Sequence, residues 1–144
     1  MVKAYEIIDH TADVGLKVYG KTLSELFENA ALGMFSIIAG KDLLASSRPS
    51  TKKKIQIKKQ VETYEELLVE WLGEILYIFN KEQILFKSFK ILQMSLQGIR
   101  GEASGERIDF SKAPLETEIK AVTFHGLKIE QDKTGFSTTI IFDV

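Results

Sequence analysis

Apolar residues recur along this chain with two different periods, and each change of period marks an element. Ala4 to Ile8 and Leu16 to Tyr19 are short runs that predict strands. The polar segment Asp9-His10-Thr11-Ala12-Asp13-Val14-Gly15 between them reads as a loop or tight crossover. Thr22 followed by Glu25 forms a capping box, in which the threonine hydroxyl serves the backbone N–H of the glutamate three residues on. Behind it Leu23, Leu26, Phe27, Ala30, Ala31, Met34, Phe35 and Ile38 recur at helical spacing until Gly40 stops them.

Lys41 to Pro49 reads as a connector. In Lys52 to Lys59, Ile55 and Ile57 alternate with Lys54, Gln56 and Lys58, as in a half-buried strand with one basic face. A second capping box, Thr63 with Glu66, opens a helix with the apolar stripe Leu68, Leu72, Ile75, Leu76 and Phe79, and Trp71 beside it. Glu66, Glu70 and Glu74 make its other face acidic, and Gly73 inside it costs about 1 kcal/mol relative to alanine.

From Ile84 the period becomes strand-like through Ile91 and from Met94 to Ile99. A stretch with Gly98, Gly101 and Gly105 follows and reads as turns of a meander or hairpin. After a connector around Pro114, strands are expected over Thr117 to Thr123, Gly126 to Glu130 and Phe136 to Phe142, with a turn over 131–135. Two amphipathic helices among short strands predict an α+β fold. It would be a single compact domain over residues 1–144, with mixed or antiparallel sheet layers packed against the helices.

Composition narrows the function. A hydrophobic fraction of 44% in 144 residues supplies a core for one domain and separates the chain from disordered compositions. Nineteen Lys and Arg against 20 Asp and Glu leave no net field to draw the whole protein onto nucleic acid or an anionic membrane, so such contacts must be local. The absence of cysteine removes disulfides, zinc knuckles, iron–sulfur clusters and thiol nucleophiles together. The N-terminal Met1-Val2-Lys3-Ala4-Tyr5-Glu6 meets a charge at once, and no apolar run is long enough for a signal peptide or a membrane span. The expected location is cytoplasmic, with no membrane partner.

The loop from Asp9 to Gly15 gathers two carboxylates and an imidazole. On spacing alone its Asp and Thr satisfy turn amides, and a metal or catalytic role is the minority reading. Phe142-Asp143-Val144 continues an alternating apolar strand to the end of the chain, which sets a terminal carboxylate on Val144 beside Asp143. Two such groups repel unless solvated or neutralised by a cation, and both are hard oxygen donors. If Ala4 to Ile8 pairs beside this last strand, Asp13 reaches the same spot. Carboxylates without cysteine favour calcium, magnesium or manganese over zinc or copper. A merely hydrated terminal carboxylate is the competing reading.

The remaining candidates each have a plain alternative. His125 can be a base, a ligand or a donor to a partner, or simply a histidine hydrogen-bonded at a strand end. Lys52, Lys53, Lys54, Lys58 and Lys59 can touch RNA phosphates, or guard an edge strand from aggregation, the stronger reading without aromatic neighbours to stack bases. Glu66, Glu70 and Glu74 can meet a basic partner, or form a solvated face. The three glycines match no phosphate-binding fingerprint, and no Gly-x-Ser-x-Gly elbow presents a serine nucleophile.

Four segments together resemble one family, the archeases. They are Asp9-His10-Thr11-Ala12-Asp13-Val14-Gly15, Leu67-Leu68-Val69-Glu70-Trp71-Leu72, Glu118-Ile119-Lys120-Ala121-Val122-Thr123-Phe124-His125-Gly126-Leu127, and the Phe142-Asp143-Val144 ending. Phe124 stands where tyrosine is frequent in the family and Gly73 where asparagine is common, while Ser88 to Ser104 matches poorly. The resemblance implies a non-enzymatic accessory protein of the RtcB-type tRNA-splicing RNA ligase, which joins RNA ends using GTP and manganese. The ligase forms the guanylylated histidine, and the archease speeds that step, sustains turnover and broadens nucleotide use. It also implies an acidic metal site at Asp13, Asp143 and the terminal Val144, commonly with calcium as the divalent cation, and contact with tRNA only through the ligase. Two rival readings stay open: a metal-dependent hydrolase or nuclease with His10 or His125 as base, and a general chaperone or nucleic-acid modulator.

Overall fold

A computed structural model describes residues 3–9, 13–112 and 115–144. Chain order is β1 (Tyr5–Asp9), β2 (Asp13–Gly20), α1 (Leu23–Ala39), α2 (Lys41–Ser46), β3 (Thr51–Ile57), α3 (Tyr64–Glu82), β4 (Ile84–Ser95), β5 (Gly98–Arg107), β6 (Ala121–Thr123), β7 (Glu130–Asp132) and β8 (Gly135–Asp143). The strands form two sheets. The larger runs β1-β2-β8-β6, with β7 also on β8, and the smaller runs β3-β5-β4. Every pairing is antiparallel.

Both long helices begin as their capping boxes predict. Glu25 N donates to Thr22 Oγ1 at 3.1 Å, and Glu66 N donates to Thr63 Oγ1 at 3.1 Å, each filling a donor left free in the first turn. The return bond of the first box lands one residue early, from Lys21 N to Glu25 Oε1 at 3.2 Å. Each long helix touches both sheets: α1 meets β1, β2, β8 and β4, and α3 meets β3, β4, β5 and β6. This join explains why α1 is buried nearly all round from Ala30 onward, whereas an amphipathic helix on one sheet would bury a single stripe. Trp71 in α3 ties the two together, its indole N–H donating to the Phe27 carbonyl oxygen at 3.0 Å.

The structure corrects four expectations. The connector after Gly40 contains a third helix, α2, whose six residues are too few to display a helical period. The strand expected over Thr117 to Thr123 shrinks to β6, because Glu116 N and Thr117 N both donate to the Ile38 carbonyl oxygen instead of to a strand. Of the run from Gly126 to Glu130 only Glu130 is in a strand, because side chains serve the main chain before it: Ile129 N donates to Glu65 Oε2 at 2.9 Å, and Thr138 Oγ1 donates to Lys128 O at 2.8 Å. Instead β7 extends through Gln131 and Asp132, so the turn expected over 131–135 narrows to Lys133 and Thr134. Gly101 and Gly105 are not turns but lie within β5, where a Cβ on Gly101 would press on the Trp71 ring and one on Gly105 on the backbone of Leu85. Gly98 alone opens a hairpin, with φ of +148° opposite Ser95.

Candidate metal centre

Antiparallel pairing brings the start of β2 to the end of β8. The register runs Asp13↔Asp143, Val14↔Phe142, Gly15↔Ile141 and Leu16↔Ile140. Val14, Leu16, Phe142 and Ile140 are buried against the helices, so alternation turns Asp13 and Asp143 together onto the outer face. Directly opposed residues on neighbouring strands hold their Cβ atoms about 4.5–5.5 Å apart, within reach of one bound ion. The approach differs from the sequence-based premise, in which the first strand was to lie beside the last. Here β1 occupies the far side of β2, and β2 itself carries Asp13 to its partner.

The electrostatics of the pair is unbalanced. Asp13 is half-buried, and its Oδ1 is enclosed with no hydrogen-bond partner among the described residues. Asp143 is exposed, and among the described residues no basic side chain lies within 4.0 Å of either carboxylate. Like charges directly opposed across two strands are destabilising. An enclosed polar atom without a partner costs about 1–3 kcal/mol, and more if it is charged. A hard cation relieves both costs, and oxygen-only donors suit calcium, magnesium or manganese. On the other side of β8, Ala121 faces Asp143, and Lys120 N donates to the Asp143 carbonyl oxygen at 2.7 Å, fixing the strand end. Val144 follows, half-buried at the edge of the core. Among the described residues no cluster of three or more His, Cys, Asp or Glu side chains occurs, so further donors would come from main-chain oxygens and water.

Other candidate residues lie elsewhere. His10 falls outside the described residues. His125 is exposed in the turn after β6, four residues past Ala121, the residue that faces Asp143. Glu70 pairs with Lys59 at 3.2 Å, and β3 is an edge strand, as the protective reading of its lysines expects. One ionic feature escaped sequence reasoning. Glu82, at the end of α3, meets Lys53 at 2.9 Å and Arg107 at 3.5 Å. The Lys53 hydrogen bond, against a desolvation cost and helped by both positive charges, holds the Glu82 carboxyl below the ordinary glutamate value. No local pattern signals contacts between residues 29 positions apart.

Fold and site together define a class: an α+β domain of two antiparallel sheets joined by two long helices, with a carboxylate pair at one end of the larger sheet. Residues 5–144 match the Archease protein family (MTH1598/TM1083), and the chain belongs to that family. It is 38% identical to the Protein archease of Methanosarcina barkeri over 99% of this chain and 97% of that one. It is 37% identical to the Protein archease of Pyrococcus furiosus over 93% of each chain. The solution structure of Methanobacterium thermoautotrophicum protein 1598 superposes with a TM-score of 0.82 at 34% identity, covering 99% of this chain and 100% of that one. Among the described residues, no helix is long and apolar enough to cross a membrane.

Proposed function

We propose that this chain is a non-enzymatic accessory protein that activates an RtcB-type tRNA-splicing RNA ligase by presenting a divalent cation at Asp13 and Asp143. The observation that carries this reading is the direct opposition of the two carboxylates, with Asp13 Oδ1 enclosed and, among the described residues, unpartnered. The carboxylate of Val144 is the third donor that the family resemblance supplies, and calcium, magnesium and manganese all fit oxygen ligands. Guanylylation gathers the negative charge of a nucleotide triphosphate at a metal-dependent centre, where a cation neutralises charge on the phosphoryl oxygens. The archease contributes position. A cation held at the exposed end of a rigid sheet can be set against the nucleotide without reorganising the ligase, while the covalent histidine intermediate stays on the ligase.

The test is guanylylation of the ligase with GTP and manganese, followed with and without this protein. Wild type is expected to accelerate the step, and Asp13→Ala with Asp143→Ala to return it to the rate of ligase alone. Full stimulation by the folded double variant contradicts the cation's role. Turnover of RNA or nucleotide by the protein in the absence of ligase contradicts the accessory reading.

A further inference from the structure

The outer face of the smaller sheet carries charge that the reading above does not use. Register places Lys52 beside Ser104, Glu102 between Lys54 and Lys90, and Arg100 between Gln56 and Gln93. On the opposite side Ile55, Ile57, Ile99 and Ala103 are buried, so the polar set faces solvent. Lys58, just beyond β3, lines with Arg100, Gln56 and Gln93 a shallow cavity of about 240 Å³. Five basic residues, Lys52, Lys54, Lys58, Lys90 and Arg100, thus share a face with two carboxylates, Glu102 and, at the far end of β5, Glu106, which accepts from Arg48 N, in a chain of net charge −1. Among the described residues none of the five has an ion-pair partner within 4.0 Å.

Edge protection explains only part of this. Inward-pointing charge guards a strand edge, and Lys53, half-buried against Glu82, already does so on β3. Arg100 stands on β5, the central strand, where there is no edge to guard, while Lys90 stands on β4, the other edge strand.

We propose that this face binds the phosphate backbone of double-helical RNA. The area is roughly 23 Å by 10 Å, from the strand rise and spacing, and offers cations to a short run of phosphates. Ser88, Ser95, Ser104 and Gln97 stand near them with groups that both donate and accept, as a 2′-hydroxyl requires. Single-stranded RNA is read by stacking bases on aromatic rings. The aromatic residues of β4 do not serve, since Phe86 is buried and Phe89 packs on Phe35. An acidic protein partner fits less well, because protein interfaces are depleted in lysine and anchored by aromatic residues. The inference stands independently of the cation site. It replaces the expectation that tRNA is reached only through the ligase.

The test is binding of a fluorescent RNA duplex to the purified full chain, measured by anisotropy across salt concentrations. Contact with about four phosphates predicts roughly a hundredfold weakening between about 50 and 200 mM salt. The variant Lys54→Glu/Lys58→Glu/Arg100→Glu is expected to weaken binding by at least about tenfold, while Lys112→Glu/Lys128→Glu/Lys133→Glu, the same charge change on other surfaces, leaves it within about threefold. Should the face variant fail to fold, Lys58→Gln/Arg100→Gln keeps size and polarity and is expected to lose binding severalfold. No duplex binding at about 50 mM salt overturns the proposal, as does equal weakening by the two triple variants. A face variant that keeps RNA binding but loses ligase stimulation overturns it in favour of a protein partner.

Discussion

Gly105 and Gly73 are both glycines inside regular elements, yet their surroundings demand opposite things. An added Cβ at Gly105 would run into the Leu85 carbonyl oxygen, beside the irregularity between Phe86 and Ser88, whereas at Gly73 it would meet nothing within 4 Å. Gly105→Ala should therefore destabilise the protein by roughly 2 kcal/mol or more, and Gly73→Ala should stabilise it by up to about 1 kcal/mol. Urea midpoints of the two variants, read against wild type, check both signs. The cost of Gly73 was legible in the sequence because helix propensity is local. The need for Gly105 was not, since it comes from a backbone that approaches across the sheet. Asp13 and Asp143 were legible as candidates by their chemistry, but the enclosed Oδ1 of Asp13 depends on packing that no spacing encodes.

Among the elements, those with a full period and a cap were the legible ones. Thr22 with Glu25 and Thr63 with Glu66 announced α1 and α3. The six residues of α2 and the three each of β6 and β7 fall below any periodic signal; the approach to β6 is decided by the distant Ile38 carbonyl oxygen and that to β7 by distant side chains such as Glu65. The same reach across sequence governs acid stability. Glu82 is held below its ordinary value by Lys53, so over the interval between the folded and unfolded values the unfolded chain binds more protons. Its contribution is therefore present above the ordinary glutamate value and lost as pH falls through the folded one. Asp109, lowered by its bonds from Ser111, and Asp132, lowered by its bonds from Thr134, act in the same direction. Urea midpoints of wild type should fall through the acid range, and those of Glu82→Gln should fall less steeply without becoming flat. Superimposable profiles would remove Glu82 from the account.

On the scale of the whole molecule, the near-zero net charge conceals a division of labour between two sheet surfaces. The larger sheet ends in the opposed carboxylates, and the smaller one exposes lysines and an arginine. With helices packed between them, each sheet keeps one face free. Fold class was legible from the alternation of periods, whereas strand order, and with it the meeting of β2 and β8, was not. The account depends most on that meeting acting as a cation site. Calorimetric titration of calcium into metal-free protein tests it most directly. Wild type should show one binding event, and Asp13→Asn with Asp143→Asn should show none, while its thermal midpoint without calcium stays equal to wild type or rises as the repulsion is removed. Equal calcium affinity in wild type and in the folded double variant would contradict the account.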